Sequence, residues 1–501
     1  MIKAGDILIT KPFSQDAHFK RSVIYVCEHN EFGSLGFILN KSHGLLLRDI
    51  FPHLKNGNFP LFEGGPVSPN QLFYTHTLGK KIKDSQHVVD DVYWGGNFFE
   101  LSEMIEKGDN DIKMITLSKN QIDETGKFAT ASVYGLKERK AIYREGLGAT
   151  LINDNFDSTK PYLVPKRTSS NANLIYPYGD AEQKDTVFSN IDYDQLNRTV
   201  DNAFDKKGQK NKRTRSVIVI YKDKIIAEKY DTEFTKNSKI LGWSMTKSIT
   251  ATLFGILEKQ GKYNIYLPAP IPEWANDERK KITTNDLLHM NSGLEWEENY
   301  GAISDVTKML FQAEDMTRSQ LEKPLAFQPN THWYYSSGTT NLLSGILRKQ
   351  FKTHQEYLDF WYSALIDKIG MHSMLVETDM AGNYVGSSYG WATTRDWAKF
   401  GLLYLHQGNW NGEQLFKPSW AKYVATPTNT SNGQYGGQFW LNAGGRFPDA
   451  PKDLYFASGF QGQMVAIFPS HDLVIVRMGL KEDPEFNFNG LLGGIVRSIK
   501  K

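Results

Sequence analysis

From Ser216 onward the hydrophobic period of this chain changes from strand to helix and back to strand. The segment SVIVIYKDKIIAEKY, residues 216–230, reads as a hairpin with its turn at Lys222–Lys224. A helix pattern opens at Ser244 (SMTKSITATLFGILEKQG), with Gly261 placed to end it. Further helices are expected at Thr284–Met290, Thr340–Gln350, His354–Ile369 and Thr393–Gln407. A last strand pair, QMVAIFPSHDLVIVRMGL at 463–480, and a terminal helix close the chain. Before Ser216 short strands dominate. DILIT, SVIYVCEH, GSLGFILN and HVVDDVYWGG precede KFATASVYG and RKAIYREGLGATLI, with one helix near Phe98–Lys107. A polar stretch rich in Asn, Asp, Ser and Pro then leads to residue 205. A chain of 501 residues is too long for one ordinary core, so two or more domains are expected.

Charge excludes some partners. The net charge is +2, too small for a global field that gathers nucleic acid. The one basic stretch, KKGQKNKRTR at 206–215, has no interleaved aromatic residues and reads as a solvated loop. The single cysteine, Cys27, can form no intrachain disulfide and lies in the apolar run SVIYVC, where a buried thiol is expected. The apolar run at Ile7–Ile9 gives way at once to Thr10, Lys11 and Pro12. A secretory segment needs about 7–15 apolar residues and a membrane span roughly 18, and neither pattern occurs. The expectation is a cytoplasmic protein with no membrane or nucleic-acid partner. The 12 histidines are scattered without ligand spacing, so no metal and no cofactor is expected.

Three constellations carry chemistry. Ser244-Met245-Thr246-Lys247 is an S-x-x-K tetrad that places both side chains on one helical face. Amide groups at the helix start favour an alkoxide on the serine, and a lysine depressed by burial could take its proton. The tetrad alone singles out nothing, because Ser419–Lys422 and Ser498–Lys501 share it, and Ser244 could be a plain N-cap beside a surface lysine. The second constellation, Thr331-His332-Trp333-Tyr334-Tyr335-Ser336-Ser337, runs into a helix. A tyrosine there suits phenolic acid–base work if a cation holds its pKa down, although packing explains the aromatic residues as well. The third is Ala457-Ser458-Gly459-Phe460-Gln461-Gly462-Gln463, whose glycines let backbone amides approach a carbonyl or simply make a turn.

Taken in this order, the three constellations resemble the serine β-lactamase and penicillin-binding-protein superfamily. The branch is that of class C β-lactamases, D-alanyl-D-alanine carboxypeptidases, family VIII esterases and 6-aminohexanoate-dimer hydrolases. The stretch ITTNDLLHMNSGL at 282–294 is close to that branch's I-T-x-x-D-L-L-x-M-x-S-G-L signature, and ATTRDWAKFG at 392–401 is similar to its A-T-A-R-D-x-A-R-F-G helix. The resemblance covers about residues 120–501. It implies that Ser244 is the acylated nucleophile, that Lys247 and Tyr335 share its proton, and that the amides of Ser244 and Phe460 bind the oxyanion. Trp243, Ser337, Ser387, Ser388, Ser458, Gly459 and Gln461 are candidates for substrate contact. Ala457 stands where the family has Lys or His, the side chain that serves a substrate carboxylate. That departure favours an ester or linear amide over a β-lactam. Gly386-Ser387-Ser388-Tyr389-Gly390 formally matches the G-x-S-x-G elbow, but the strand–helix alternation that builds such a sheet is missing before it.

The amino-terminal blocks Gly5–Ile9, Phe19–Tyr25, Gly33–Asn40 and Glu63–Val67 resemble the AlgH (UPF0301, YqgE) family, small α/β proteins sometimes linked to transcriptional regulation. That family's closing G-[YF]-x-G-W block is absent after Met114. The expected organisation is therefore an incomplete AlgH-like module at 1–114, a connecting segment and hydrolase extension at 115–205, and a β-lactamase-related domain at 206–501. The expected fold class is α+β: a small α/β module followed by an antiparallel sheet flanked by helices, with strands from Ser216–Tyr230 and Gln463–Leu480. A mainly helical lobe spans about Ile282–Ala425, with the site between sheet and lobe. The expected activity is acyl transfer from a small ester, amide or peptide-like substrate. A β-lactamase or penicillin-binding receptor, and a regulatory protein with a non-catalytic scaffold, are the alternatives. Hydrolase relatives often carry an export signal where the amino-terminal module sits, and no partner of that module can be named.

Overall fold

The computed structural model describes residues 2–9, 22–30, 33–62, 72–108, 118–123, 127–133, 139–152, 161–169, 173–207, 209, 211–300 and 303–500. The chain forms two compact units, Met1–Ile142 and Tyr143–Lys501. This division falls inside the strand Arg139–Arg144, whereas the resemblance boundaries expected from the sequence lie at 114/115 and 205/206. Phe19–Arg21 of the Phe19–Tyr25 block and the whole Glu63–Val67 block, which help carry the amino-terminal resemblance, lie outside the described residues, as does the junction at 109–117.

In the first unit Ile7–Ile9 pairs antiparallel with Val23–Asn30, which pairs in turn with Gly33–Ile38. A small second sheet joins Thr75–His76, Gln86–Val89 and Val92–Trp94. Tyr25, Cys27, Leu39, Val88 and Val92 form one apolar cluster. Burial pushes the Cys27 thiol up to about 12, so it is protonated and unreactive at neutral pH. The helix Phe98–Glu106 starts at Asn97, whose side chain accepts from the amides of Phe99 and Glu100. Its buried face, Leu101 and Ile105, packs on Leu47, Leu54, Leu78 and Ile82.

The second unit is built on a six-stranded antiparallel sheet. Among its elements, those that build the sheet and the site are, in chain order, α1 (Tyr193–Asn202), β1 (Thr214–Tyr221), β2 (Lys224–Tyr230), α2 (Thr246–Lys259), α3 (Ser337–Arg348) and α4 (Thr394–Leu405). They continue with β3 (Trp440–Leu441), β4 (Tyr455–Gly459), β5 (Gln463–Phe468), β6 (Leu473–Gly479) and α5 (Phe488–Ser498). The spatial order is β2-β1-β6-β5-β4-β3, so the strand patterns from the two ends of this unit meet at β1 and β6. The β1–β2 turn uses Lys222 and Asp223, both left-handed at φ 47° and 63°, which matches the twist of a two-residue hairpin.

Both faces of this sheet are covered, which is why β1 reads as an unbroken apolar run rather than an alternating one. Val217 and Val219 face α1 and α5 with Leu196, Leu492 and Ile495. Ile218 and Ile220 face the cluster that contains Ile249 and Leu253 of α2 and Leu402 of α4. Gly401 brings α4 close: a Cβ there would lie 2.6 Å from Val474 Cγ1. Helix α2 is buried on every side from Thr246 to Leu257. Its polar side chains are correspondingly paired, Ser248 with the Gln438 carbonyl at 2.8 Å and Thr252 with the Tyr404 hydroxyl at 2.8 Å.

The second unit differs from its sequence pattern at two places. The helix expected at His354–Ile369 is α-helical only over His354–Trp361 and widens into a π turn at Tyr362–Ile366. Helix α1 lies in a segment whose sequence reads as polar, because only Leu196 and Val200 are buried from it. Within the basic stretch, one Asp205 carboxylate accepts from the amides of Asn211, Lys212 and Arg213, which fixes the backbone of this loop. No helix among the described residues is long and apolar enough to cross a membrane.

Candidate active site

The site lies where α2 begins. Gly242 sits against the Trp397 ring, with 2.3 Å between an added Cβ and the indole, and its amide donates to the Gly390 carbonyl at 2.8 Å. The next residue, Trp243, is left-handed at φ 50°, a conformation that costs a non-glycine residue energy and turns the chain sharply. Thr246 locks this turn by donating its hydroxyl to the Trp243 carbonyl at 2.8 Å. The result is a single 3-10 turn, Trp243–Met245, that leaves Ser244 half-buried while Lys247, one turn on, is buried. Ser244 is not an N-cap, since no side-chain cap bond starts α2.

Lys247 Nζ donates to Ser244 Oγ at 3.0 Å, to Ser337 Oγ at 2.9 Å and to the Ser387 carbonyl at 2.9 Å. Burial lowers its pKa to about 8, against the opposing pull of the Glu298 charge. Tyr335 hydrogen-bonds the Ser244 side chain, and its ring faces Lys247 Nζ at 4.9 Å. The sequence expectation required a cation to hold this phenol down. The structure places it the other way: burial first, then Glu298, raise its pKa, so Tyr335 is a neutral phenol that can pass a proton but not a standing phenolate base. Its ring is held by Trp440 at 5.3 Å and Tyr435 at 5.8 Å between centroids.

Opposite these residues, β4 ends at Gly459. A Cβ there would fall 2.0 Å from the Gly242 carbonyl oxygen, so only glycine lets this strand lie against the serine turn. Ser458 is half-buried, and Phe460 follows with its ring edge-on to Trp243 at 5.6 Å and stacked on Tyr300 at 5.4 Å. Trp243 also meets Tyr389 at 6.2 Å. Gln461 is left-handed at φ 63° and buried in the turn from β4 to β5. Ala457 is buried in the core behind the strand and offers no charge.

The remaining candidate serines lie elsewhere. Ser387 and Ser388 are fully buried with their hydroxyls 2.8 Å apart, so neither hydroxyl lines a pocket; Ser387 contributes its carbonyl to Lys247 instead. The histidines downstream of that elbow pair away from it, His406 with Asp223 at 2.8 Å and His471 with Ser470 at 2.9 Å. Ser419 is exposed on its helix, and Ser498 is buried with its hydroxyl on the Ile495 carbonyl at 2.6 Å. Ser337, proposed for substrate contact, is buried beneath Lys247. Glu298, Tyr300, Tyr389 and Trp440 surround the site without having been singled out in the sequence. Among the described residues no cluster of three or more His, Cys, Asp or Glu is arranged to hold a metal ion.

A covered antiparallel sheet, a buried helix that begins just after Ser244, and a glycine-ended strand across from it define a fold found among hydrolases. The chain belongs to the beta-lactamase family, whose model matches residues 200–491. Solved structures with this fold include EstCE1, a hydrolase with promiscuous acyltransferase activity, at 12% identity and TM-score 0.51 over 62% of this chain and 99% of that one. A family VIII carboxylesterase is 15% identical at TM-score 0.50, over 61% of this chain and 97% of its own. A putative β-lactamase from Bacteroides dorei is also 15% identical at TM-score 0.50, over 62% and 99%.

Residues 7–118 match the AlgH-like family model. The UPF0301 protein of Cytophaga hutchinsonii is 42% identical over 109 residues, 22% of this chain and 60% of that protein. That of Parabacteroides distasonis is 44% identical over 106 residues, 21% of this chain and 54% of that protein. The chain thus spans 60% or less of the length of these two relatives.

Proposed function

We propose that the second unit is a serine hydrolase that cleaves small esters or linear amides through an acyl-enzyme on Ser244. The observation that carries this reading is the direct Lys247–Ser244 hydrogen bond at 3.0 Å, made by a lysine whose pKa burial has lowered to about 8. A neutral Lys247 takes the serine proton as Ser244 Oγ bonds to the substrate carbonyl carbon. The backbone amides of Ser244 and Phe460 receive the oxyanion. The proton returns to the leaving group by way of the Tyr335 hydroxyl, whose raised pKa keeps it protonated and able to donate. Water then repeats the sequence on the acyl-enzyme.

The test is the site and the pH dependence of labelling by a fluorophosphonate. Mass spectrometry is expected to place the adduct on Ser244; an adduct on Ser388 or Ser419 overturns the reading. The labelling rate should rise as pH increases through about 8 and then level off, because Lys247 becomes a base only above its pKa. A rate that falls over that range would remove Lys247 as the proton acceptor.

Esters and linear amides are favoured over β-lactams by Ala457, which supplies no cation for a carboxylate, and by the aromatic collar of Trp243, Tyr300, Tyr389 and Phe460. Turnover of nitrocefin is expected to be weak beside that of p-nitrophenyl acetate, and comparable rates on the two would reverse this preference.

A further inference from the structure

The hydrogen bonds around Lys247 have a direction, and one half-buried carboxylate, Glu298, sets it. A protonated lysine has three protons and no acceptor, and Lys247 has three partners for them: Ser244 Oγ, Ser337 Oγ and the Ser387 carbonyl. A base, however, needs its lone pair on Ser244 and not on Ser337. The Ser387 carbonyl can only accept. Ser337 Oγ could donate or accept, but its single proton goes to Glu298 Oε1 at 2.5 Å. Toward Lys247 the Ser337 hydroxyl is therefore an acceptor only. When Lys247 loses a proton, the two that remain stay on Ser337 and Ser387, and the lone pair faces Ser244.

Glu298 is well held for this task. Its Oε2 accepts from the Ser337 amide at 2.8 Å and the Trp296 indole at 2.5 Å, and the Tyr300 hydroxyl reaches Oε1 at 3.3 Å. Every partner is thus a donor to a group that only accepts. We propose that Glu298 is a positioning residue that fixes the direction of the Lys247–Ser337–Glu298 chain, and so aims the lysine lone pair at Ser244. The inference rests on Lys247 serving as the base, as argued above.

Glutamine at 298 would break this arrangement in a defined way. Its NH2 group cannot face the Ser337 amide and Trp296 indole, which are fixed donors. It would face the Ser337 and Tyr300 hydroxyls, which can rotate to accept. Ser337 would then donate to Lys247 and compete with Ser244 for the lone pair. The charge also matters. Lys247 is faced by Ser244, by Tyr335 just before α3 and Ser337 at its start, by the Ser387 carbonyl, and by Glu298, the one charged group among the described residues that acts on it. Glu298 in turn faces the phenols of Tyr300, Tyr335 and Tyr435, all pushed up by burial and neutral. The titration expected near pH 8 is therefore that of Lys247, and removing the Glu298 charge should move it to lower pH.

The experiment compares fluorophosphonate labelling rates of the full chain across pH for wild type, Glu298→Gln and Glu298→Asp. For Glu298→Gln the plateau rate at high pH should fall about tenfold, the weight of one competing hydrogen bond, while the pH midpoint moves down. A simple loss of folded protein would lower the labelled fraction and leave the midpoint in place. Glu298→Asp keeps the charge and the acceptor character, so its midpoint should stay near that of wild type and its plateau should exceed that of Glu298→Gln. The proposal is overturned by a Glu298→Gln protein with wild-type plateau and midpoint, or by Glu298→Asp being the slower of the two. Should Glu298→Gln fail to fold, Ser337→Ala carries the test, and a wild-type plateau there overturns the proposal. Absence of labelling at Ser244 in the wild type would instead remove the hydrolase reading itself.

Discussion

Ser244→Ala is expected to abolish both turnover and covalent labelling, with a loss on the order of 10³-fold or more. The serine hydroxyl is the meeting point of two groups, the Lys247 ammonium at 3.0 Å and the Tyr335 hydroxyl, and both lose their partner when it is removed. Lys247→Ala should cost nearly as much, since no other described base touches Ser244. Residues that act as one relay are strongly non-additive, so Lys247→Ala added to Ser244→Ala should cost little more. Tyr335→Phe deletes one hydroxyl from a ring packed by Trp440 and Tyr435, and should slow the reaction while sparing the fold. Ser388→Ala, Ser419→Ala and Ser498→Ala should leave labelling intact. Hydrolysis of p-nitrophenyl acetate together with labelling stoichiometry decides the matter, and a Ser244→Ala protein at wild-type rates ends the proposal.

Gly459→Ala should be the most damaging change outside that relay. The added carbon would lie 2.0 Å from the Gly242 carbonyl oxygen, which is backbone and cannot swing away. Gly242 cannot retreat either, because the Trp397 ring fills the space behind it. Relief requires β4 and the serine turn to part by roughly 1 Å, and a misplacement of that size in a reactive site costs about 10²-fold in rate. Overpacking of this kind also lowers stability by about 1–3 kcal/mol. Labelling kinetics and a melting curve measure the two effects separately. Unchanged kinetics with a normal melting temperature would mean that the strand does not buttress the nucleophile.

The sequence made the principal groups visible for local reasons. The S-x-x-K spacing is one helical turn, so Ser244 and Lys247 are adjacent wherever that helix forms. Tyr335 is brought to them because α3 starts within the motif that contains it. The strands at 216–230 and 463–480 are legible by period and by turn residues, and they meet in one sheet.

What stayed hidden is physical in origin. Glu298 lies in EWEEN, an acidic run indistinguishable from a solvated surface until Trp296, Tyr300 and Ser337 close on it. The Ser387 contribution is a backbone carbonyl, which no side-chain pattern reports. The elbow-like match at 386–390 gave no hint that both its hydroxyls turn into the core. Helix α1 escaped notice because it needs only two buried residues when the sheet beneath it is already continuous. The pKa of Tyr335 depends on burial and on a carboxylate distant in sequence, so its direction could not be read from the motif.

Helix α2 has no solvent-facing side from Thr246 to Leu257, and this bears on how the neighbouring Ser244 responds to disturbance. Segments that open most easily are those with few buried contacts, and the first turns of α2 have the opposite character. Fraying therefore does not reach Ser244 and Lys247 before the surrounding core gives way. Ser244 and Lys247 are therefore expected to stay in place until the last cooperative block melts: the amides of α2 should exchange with solvent only through opening of the whole second unit, and any activity at Ser244 should be lost together with the fold rather than ahead of it.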